Sequence, residues 1–316
     1  MEVYLGIDSG SVSTKLAAIN NKGDLICHVY LLTKGKPIEA MQEGLRQIKD
    51  RLPHGAEISG VAATGSARYL IGVVTGADMT KNEITCQALA TLGQMPDVRT
   101  IIEIGGQDSK IILIRDGLVS DFGMNTVCAA GTGSFLDHQA ARLNMSIEEF
   151  SRRALESTAP VRIAGRCTVF AESDMIHKQQ MGHPVQDIVY GLCQALVRNY
   201  LTSVAPGKEI KPPVVFQGGV SLNQGILKAF REELGIEIIV PPNTAILGAI
   251  GAARLVREKM NGNKSLSRFK GMNITGENYQ ASSFACRDCP NACEIAGLSL
   301  NNKMLARWGG RCNRWG

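Results

Sequence analysis

Residues 100–134 read TIIEIGGQDSKIILIRDGLVSDFGMNTVCAAGTGS, and this stretch decides the fold class. An apolar run at residues 101–104 meets a turn at Gly105 and Gly106, and a second apolar run follows at residues 111–114. The pattern predicts a strand, a tight glycine turn and a returning strand. Because glycine lets the backbone approach a ligand and successive turn amides form an anion-binding nest, the turn indicates a phosphate-binding loop.

The start of the chain repeats this pattern. Residues 3–19 again read as a strand, a glycine-containing turn and a strand, and Lys15 stands where Lys110 stands in the later copy. Two such hairpins, far apart in the chain, predict a duplicated domain with two facing loops. A ligand held between them would lie at a domain interface. Neither loop has the GxxxxGK[ST] spacing of a Walker A motif.

Composition places the chain among ordinary globular proteins. It has 316 residues, of which 44% are hydrophobic and 20% are charged, and a net charge of +5. No apolar run approaches the ~20 residues of a membrane span, and the first residues lack the basic region of a signal peptide. We therefore expect two domains in a cytoplasmic protein with neither a membrane nor a nucleic acid as a partner.

The remaining elements follow from periodicity and from turn residues. Strands are expected at residues 24–32, 58–64, 212–216 and 236–240. Helices are expected at residues 37–52, 84–92, 133–143, 185–204 and 244–256, with another beginning at Ser146, where Glu149 completes a capping box. Small residues in the 244–256 helix predict close packing against a sheet.

Two polar segments set the predicted domain boundaries. The loop at residues 94–97 separates a first ATPase-like subdomain, 1–95, from a second, 96–257. A Gly/Asn/Ser-rich linker at 261–280 leads into a cysteine-rich tail, so residues 258–316 form the third segment. This segment is basic, which suits either an acidic partner or simple solvation.

Polar groups in the glycine turns are the candidates for binding a nucleotide. Hydroxyls and turn amides suit phosphate oxygens, Lys15 supplies charge, and Asp8 could hold Mg²⁺ through water. Taken alone, the first loop is explained equally well as an ordinary polar hairpin turn. Catalytic roles are predicted for Asp8, Gln107 and Asp108. The predicted nucleotide-binding residues are Gly10, Ser11, Val12, Ser13, Thr14, Lys15, Gly105, Gly106, Gln107, Gly218, Gly219 and Asn243.

Nine cysteines are many for a cytosolic chain and favour metal or redox use of some of them. Cys128 and Cys167 each precede a helix start, where the helix dipole favours a thiolate. Two cysteines are too few for an Fe–S cluster, but a symmetric dimer supplies four. Simple burial of both remains the alternative. Cys27, Cys86 and Cys193 lie in apolar patterns and are expected in the core.

The tail carries a second group of cysteines. Cys286, Cys289 and Cys293 are closely spaced, and Cys312 follows at the end of the chain. This spacing predicts a metal site, either structural zinc or a second Fe–S cluster. Four free thiols in a disordered tail are the alternative.

Five motifs together resemble one protein family: DSGSVSTK at 8–15, IGGQDSK at 104–110, NTVCAAGTG at 125–133, CTVFAES at 167–173 and FQGGV at 216–220. The family is that of the activators of 2-hydroxyacyl-CoA dehydratases and the ATPase subunits of benzoyl-CoA reductases. The resemblance covers roughly residues 1–257 in order. Gln87 and Gln217 depart from it, because the family usually has histidine at the first position and often threonine at the second.

The resemblance implies an α/β fold with duplicated ribonuclease-H-like, actin-like ATPase domains and a nucleotide cleft between them. It implies ATP/ADP and Mg²⁺ as ligands, and a homodimer in which Cys128 and Cys167 of both subunits hold one bridging 4Fe–4S cluster. In this family, ATP hydrolysis changes the angle between the cluster-bearing helices and drives an electron into a partner Fe–S protein. That partner is a dehydratase or a double-cubane-cluster reductase component of anaerobic metabolism, with ferredoxin or flavodoxin as electron donor.

Two other functions remain open on the same fold. A small-molecule kinase would need a base that activates its substrate in the cleft. A non-redox ATP switch would need no chemistry beyond hydrolysis. Neither function gives Cys128 or Cys167 a role.

Overall fold

The structure is a computed structural model, and it describes residues 1–125, 128–263, 266–312 and 314–315. The chain divides into two compact units, one formed by Met1–Cys86 with Gly248–Gly316 and the other by Gln87–Leu247. This division differs from the three consecutive segments expected from the sequence, because the end of the chain returns to the first unit. In the described part, no helix is both long enough and apolar enough to cross a membrane.

The first unit is built on a five-stranded sheet with two flanking helices from the start of the chain. Its elements are β1 (Glu2–Ser9), β2 (Ser13–Asn20), β3 (Leu25–Leu32), α1 (Pro37–Arg51), β4 (Glu57–Thr64), α2 (Arg68–Thr75) and β5 (Met79–Thr80). The strand order is β3-β2-β1-β4-β5, with β1 antiparallel to β2 and parallel to β4. All of β1 after Glu2 is buried, as its continuous apolar run predicts for a central strand.

Helix α1 shows how the sequence specifies this packing. Pro37 occupies its first turn, where a missing amide proton costs nothing. Met41, Leu45 and Ile48 recur at helical spacing, are fully buried, and join the core of the sheet. A Cβ on Gly44 would lie 2.3 Å from a methyl carbon of Leu16 on β2, so glycine sets how closely the helix approaches.

The second unit repeats the same plan and adds more helices. Its elements are α3 (Glu83–Leu92), which begins before the boundary, β6 (Thr100–Ile104), β7 (Ser109–Arg115), β8 (Leu118–Asn125), α4 (Gly133–Arg142), α5 (Ile147–Leu155), α6 (Thr168–Gln180), α7 (Val185–Ser203), β9 (Val214–Gln217), α8 (Gln224–Leu234) and β10 (Ile238–Ile239). Its strand order is β10-β9-β6-β7-β8. In the reverse direction the order is β8-β7-β6-β9-β10, which corresponds strand by strand to β3-β2-β1-β4-β5 of the first sheet. The predicted duplication is therefore confirmed.

Three elements of the repeated plan, α2, β5 and β8, are not among the sequence predictions, and β5 has only two residues. β8 is an edge strand whose residues are mostly exposed, so its sequence lacks the apolar alternation of a half-buried strand. α2 is only eight residues long and rich in β-branched side chains, which obscures its helical period. The predicted capping box is confirmed, because the Ser146 hydroxyl accepts a 3.1 Å hydrogen bond from the Glu149 amide.

Helix α9 (Leu247–Asn263) packs its small residues against the first unit. A Cβ on Gly6 of β1 would lie 1.9 Å from the Ala249 carbonyl oxygen, and one on Gly251 would lie 1.9 Å from the Cys86 carbonyl oxygen. Ala252 and Ala253 are fully buried in the same contact. The prediction that this helix packs closely is confirmed, since only glycine allows backbone to touch backbone at these points.

The segment predicted to be a linker is instead attached to the first unit. The buried Asp78 carboxylate accepts hydrogen bonds from the Arg268 amide at 2.7 Å and from the Ser267 hydroxyl at 2.7 Å. Farther along, the Gln42 side chain donates to the carbonyls of Ile274 and Glu277, both at 2.8 Å. The linker prediction is therefore wrong, because polar composition here supplies specific partners for buried groups rather than solvated chain.

The tail after this segment forms a small antiparallel sheet. Its strands are β11 (Tyr279–Ala285), β12 (Glu294–Leu300) and β13 (Lys303–Trp308), in the order β11-β12-β13. Ile295 and Leu298 on β12 are fully buried, and Leu298 joins the core that includes β1 and α1. The tail is therefore part of the first unit's core.

Two glycines of α9 give a matched test of this packing. Gly251→Ala places a methyl group on the Cys86 backbone and is expected to destabilise the fold by about 1–3 kcal/mol or more. Gly262→Ala, in the same helix with open space around the site, is expected to stabilise by up to about 1 kcal/mol through helix propensity. Thermal unfolding of both variants measures the difference. Equal effects would contradict the close approach of α9.

Candidate functional site

The first glycine turn joins β1 to β2 and is fixed by its own hydrogen bonds. The Gly10 amide donates to the Ser13 carbonyl at 2.9 Å, and the Gly10 carbonyl accepts from the Thr33 hydroxyl at 2.8 Å. The Thr14 hydroxyl is buried and bonds the hydroxyls of Ser9 and Thr33. Thr14 therefore holds the turn together, whereas Ser11 is exposed and Val12 half-buried at its tip.

Asp8 and Lys15 face each other across this hairpin. They are paired in the strand register, and the Lys15 ammonium lies 3.4 Å from the Asp8 carboxylate. A Cβ on Gly65, where φ is +87°, would lie 2.7 Å from the same carboxylate. Asp8 is thus placed at the carboxyl ends of the parallel strands β1 and β4, where ligands of α/β sheets commonly bind.

The second glycine turn joins β6 to β7 and is bonded to the start of α4. The Gly105 amide donates to the Asp108 carbonyl at 3.0 Å. The Gly105 and Gly106 carbonyls accept from the Gly133 and Ser134 amides, both at 2.8 Å. The first turn of α4 is therefore tied directly to the turn. Gln107, at the tip, is exposed.

A buried ion cluster supports this second turn. Lys110 is 1% exposed, and its ammonium lies 2.9 Å from the Glu103 carboxylate and 2.7 Å from the Asp108 carboxylate. The Tyr200 hydroxyl donates to the Lys110 carbonyl at 2.8 Å. Sequence reasoning named Asp108 but missed Glu103 as a site residue. The available signal was a lone carboxylate inside the apolar run of β6.

The third glycine turn follows β9 and lies beside the end of β6, next to the second turn. Gly218 has φ of +88°, and a Cβ there would lie 2.3 Å from the Ile104 carbonyl and 3.0 Å from the Glu103 carboxylate. The Gly218 amide donates to the Thr244 carbonyl at 3.2 Å, and Asn243 has φ of +58°. The structure therefore brings together the Gly105, Gly218 and Asn243 segments within the second unit.

The two positions that depart from the family pattern touch each other. The Gln217 amide donates to the Gln87 side-chain oxygen at 2.7 Å, and the Thr91 hydroxyl donates to the Gln217 oxygen at 2.6 Å. Gln217 is fully buried and Gln87 is nearly so. The Gln217 amide is therefore satisfied by Gln87 and Thr91 together, and the bond between the two glutamines makes the two departures one paired feature of the site.

Cys128 and Cys167 both stand as N-cap residues. Cys128 precedes a short 3₁₀ turn, Ala129–Gly131, and Cys167 precedes α6. The Asn125 side chain accepts from the Cys128 amide at 3.0 Å and donates to its carbonyl at 2.8 Å. The Cys128 sulfur lies 3.9 Å from the Arg166 carbonyl, so the two cysteine segments are adjacent. Both thiols are half-buried.

Two large apolar side chains stand beside this cysteine pair. Val169 and Phe170, at the start of α6, are 66% and 65% exposed. Of the remaining core predictions, Cys86 and Cys193 are fully buried, and burial raises the pKa of the Cys86 thiol to about 12. Cys27 is only half-buried. Cys128 and Cys167 are thus the half-exposed thiols of the second unit, flanked by an apolar surface.

The four tail cysteines lie at one end of the tail sheet. Cys286 follows β11, Cys293 precedes β12, and the Cys286 amide donates to the Cys293 carbonyl at 2.8 Å. Cys289 lies in the loop between them, and Cys312 follows β13. The Cys286 sulfur accepts from the Trp315 indole at 3.3 Å. Within the described residues, no three Cys, His, Asp or Glu side chains are gathered as a metal site.

Comparison with known proteins identifies relatives of the whole ATPase part. The family model described as the BadF/BadG/BcrA/BcrD ATPase family matches residues 5–256. The (R)-2-hydroxyglutaryl-CoA dehydratase activating ATPase of Acidaminococcus fermentans is 33% identical over 261 residues, which are 82% of this chain and 99% of that protein. The 2-hydroxyisocaproyl-CoA dehydratase activator of Clostridioides difficile is 33% identical over 79% of this chain and 92% of its own length.

Solved structures agree with the sequence relatives. The activator of the 2-hydroxyisocaproyl-CoA dehydratase from Clostridium difficile, with bound ADPNP, superimposes with a TM-score of 0.77 at 30% identity, over 83% of this chain and 97% of that one. The range matched by the family model includes the glycine turns and both N-cap cysteines, and the fold is of the actin-like ATPase type. The chain belongs to the BadF/BadG/BcrA/BcrD ATPase family.

Proposed function

We propose that this protein is an ATP-hydrolysing activator that drives low-potential electrons into a partner 2-hydroxyacyl-CoA dehydratase or a double-cubane-cluster reductase component. The observation that carries the proposal is the direct bonding between a glycine turn and the segment that begins with Cys128. Relatives named as dehydratase activators support the same function. A kinase or a simple ATP switch would leave both N-cap cysteines without a role.

Nucleotide binding is assigned to the glycine turns of both units. Lys15 would supply positive charge for phosphate oxygens, and its partner Asp8 would hold Mg²⁺. Gly105 and Gly106 let the backbone approach the phosphates, and Gly218 and Asn243 serve the same ligand from the third turn. The ligands assigned to this site are ATP/ADP and Mg²⁺.

Hydrolysis is assigned to the polar side chains at the tip of the second turn and beside it. Gln107 is exposed at the tip, where an amide can orient an attacking water. Asp108 is held by Lys110, so its carboxylate is fixed rather than free to rotate. Gln107 and Asp108 would thus orient the attacking water, and the third assigned residue, Asp8, would hold the Mg²⁺ that offsets phosphate charge.

The cysteine pair fits half of a four-thiolate site. Cys128 is the N-cap residue of the 3₁₀ turn and Cys167 is the N-cap residue of α6, and both side chains are half-buried. A second copy of the chain would supply the other two thiolates, and the exposed Val169 and Phe170 would be covered in that homodimer. A 4Fe–4S cluster held there would supply one-electron transfer at low potential.

Coupling between the two sites is carried by main-chain hydrogen bonds. The Gly105 and Gly106 carbonyls hold the Gly133 and Ser134 amides, and Cys128 lies just before them in the chain. Any displacement of the turn on binding or losing a phosphate must therefore break these bonds or move the start of α4. We expect this motion to change the position of Cys128, and ferredoxin or flavodoxin to serve as the electron donor.

The tail is proposed to hold a separate metal centre, zinc or Fe–S, through Cys286, Cys289, Cys293 and Cys312. The support is their placement at one end of the sheet, with Cys286 and Cys293 joined through the main chain. The tail would supply these thiolates from the loop between β11 and β12 and from the segment after β13.

Loss of a turn charge should impair hydrolysis without removing iron. Lys15→Ala and Asp108→Asn are each expected to lower kcat/KM for ATP by about tenfold or more, because each removes a fixed charge near the phosphates. Lys36→Ala, which removes an exposed cation of the same unit, is the matched control and should leave hydrolysis unchanged. Iron content should equal that of the wild type. Normal hydrolysis in both variants would refute the assignment.

Either N-cap cysteine should be essential for the bridging cluster. Cys128→Ser and Cys167→Ser are each expected to remove about four irons per dimer, because a shared site loses two of its four thiolates. Cys27→Ser, a half-buried thiol of the first unit, is the control and should keep all iron. Anaerobic iron analysis and the visible spectrum provide the measurement. Full iron content in either variant would show that the ligand assignment is wrong.

Loss of a tail cysteine should remove the metal of the tail centre. Cys289→Ser and Cys312→Ser change exposed thiols, so the sheet should persist while the bound metal is lost. Metal analysis of anaerobically purified protein, set against the same Cys27→Ser control, gives the stoichiometry. Unchanged zinc and iron in both tail variants would rule out a tail site.

A further inference from the structure

A groove of about 460 Å³ lies between α2 and the tail. One side is formed by Tyr69 and by the small residues Gly72 and Ala77 of the α2 region. The other side is formed by tail residues, including Trp308 of β13. The volume is within the range of small-molecule sites, about 300–1,000 Å³.

The groove has a marked charge bias. Arg268, Lys270 and Arg307 line it, and none of its lining residues is acidic. Arg268 is anchored through one terminal nitrogen, which donates to the Ala77 carbonyl at 2.9 Å and to the Asp78 carbonyl at 3.1 Å. The planar guanidinium keeps further donors on its other nitrogens. Three cations without a lining carboxylate favour an anionic ligand.

Aromatic side chains also line the groove, next to the small residues of the α2 region. Tyr69 is half-exposed, and the Arg68 guanidinium lies 4.7 Å from the centre of its ring. A Cβ on Gly72 would lie 2.7 Å from the Thr80 methyl carbon, and one on Gly76 would lie 2.4 Å from the Arg268 carbonyl oxygen, so these glycines let Thr80 and the Arg268 segment pack against α2. The Tyr69 ring and the partly buried indole of Trp308 both line the groove, so a planar ring bound there would gain stacking contacts that an aliphatic ligand lacks.

The groove is independent of the site described above. All three of its cations and Trp308 follow residue 256, where the family match ends. The Arg268 amide is fixed to Asp78, and the Lys270 ammonium donates to the Val73 carbonyl at 2.7 Å, so both cations are held at α2. We propose that this groove binds a small planar molecule bearing a phosphate, a ligand of mononucleotide size.

Isothermal titration calorimetry of the full-length protein tests this site with a matched pair of probes. Flavin mononucleotide carries the ring and the phosphate, and riboflavin carries the same ring without the phosphate. Flavin mononucleotide is expected to bind at least about tenfold more tightly than riboflavin, because only it can pair with the cations. Titrations with saturating ADP present should give the same affinity, since the groove is not the nucleotide site.

Variants of the residues that line the groove test where flavin mononucleotide binds. Lys270→Gln and Arg307→Gln are each expected to weaken binding of flavin mononucleotide by about five- to tenfold and to leave riboflavin unaffected. Trp308→Leu should weaken both probes. Lys303→Gln, an exposed cation of β13 that does not line the groove, should change neither. Circular dichroism and ATP hydrolysis of each variant check that the fold is retained.

Three results would overturn the proposal. Absence of flavin mononucleotide binding at millimolar concentration would show that the groove takes no phosphate-bearing ring. Competition by ADP would place the probe in the nucleotide site. Tighter binding of a hexaglutamate peptide than of flavin mononucleotide, lost in Lys270→Gln, would assign the groove to an acidic polypeptide instead. None of these results bears on hydrolysis or on the N-cap cysteines, so the proposed activator function is tested separately.

Discussion

A buried lysine must keep its partners, and the second unit depends on this constraint. Lys110 has almost no solvent contact and lies between the carboxylates of Glu103 and Asp108. Removing one member of a buried ion pair typically costs about 3–5 kcal/mol, because a charge is left without compensation. The register of β6 and β7 places Glu103 opposite Lys110, and the Lys110 ammonium holds Asp108. The Tyr200 hydroxyl bonds the carbonyl of the same lysine, so one buried residue links both strands, the turn and α7. The glycine turn that follows β6 has little freedom, because the Gly105 amide bonds Asp108 and the Gly105 and Gly106 carbonyls bond the start of α4.

Local patterns in the sequence were sufficient for most of the ATPase fold. Both hairpins, the duplicated plan, the Ser146 cap and the close packing of α9 follow from periodicity, turn residues and small side chains near one another in the chain. The N-cap positions of Cys128 and Cys167 were likewise predictable, because a cysteine that enters a helical pattern is visible in the sequence itself.

The features that sequence reasoning missed depend on partners far apart in the chain. The contact between Gln87 and Gln217 joins two polar residues that local pattern treats as unrelated. The attachment of the 261–280 segment to Asp78 follows from burial of that carboxylate, which the composition of the segment does not reveal. The burial of Lys110 is a different case, because its partners Glu103 and Asp108 are only seven and two residues away, and the lone carboxylate in the apolar run of β6 was the signal that was overlooked.

The division of the chain also has a consequence for the order of events on the ribosome. The second unit is one continuous stretch, Gln87–Leu247, whereas the first needs both ends of the chain. Tyr4, Ile19 and Ala62 of its sheet are covered by Val256 and Met260 of α9, which are synthesised much later. Domains fold as they emerge during synthesis. The middle of the chain can therefore complete its fold first, while the first sheet waits with an uncovered apolar face until translation is nearly finished.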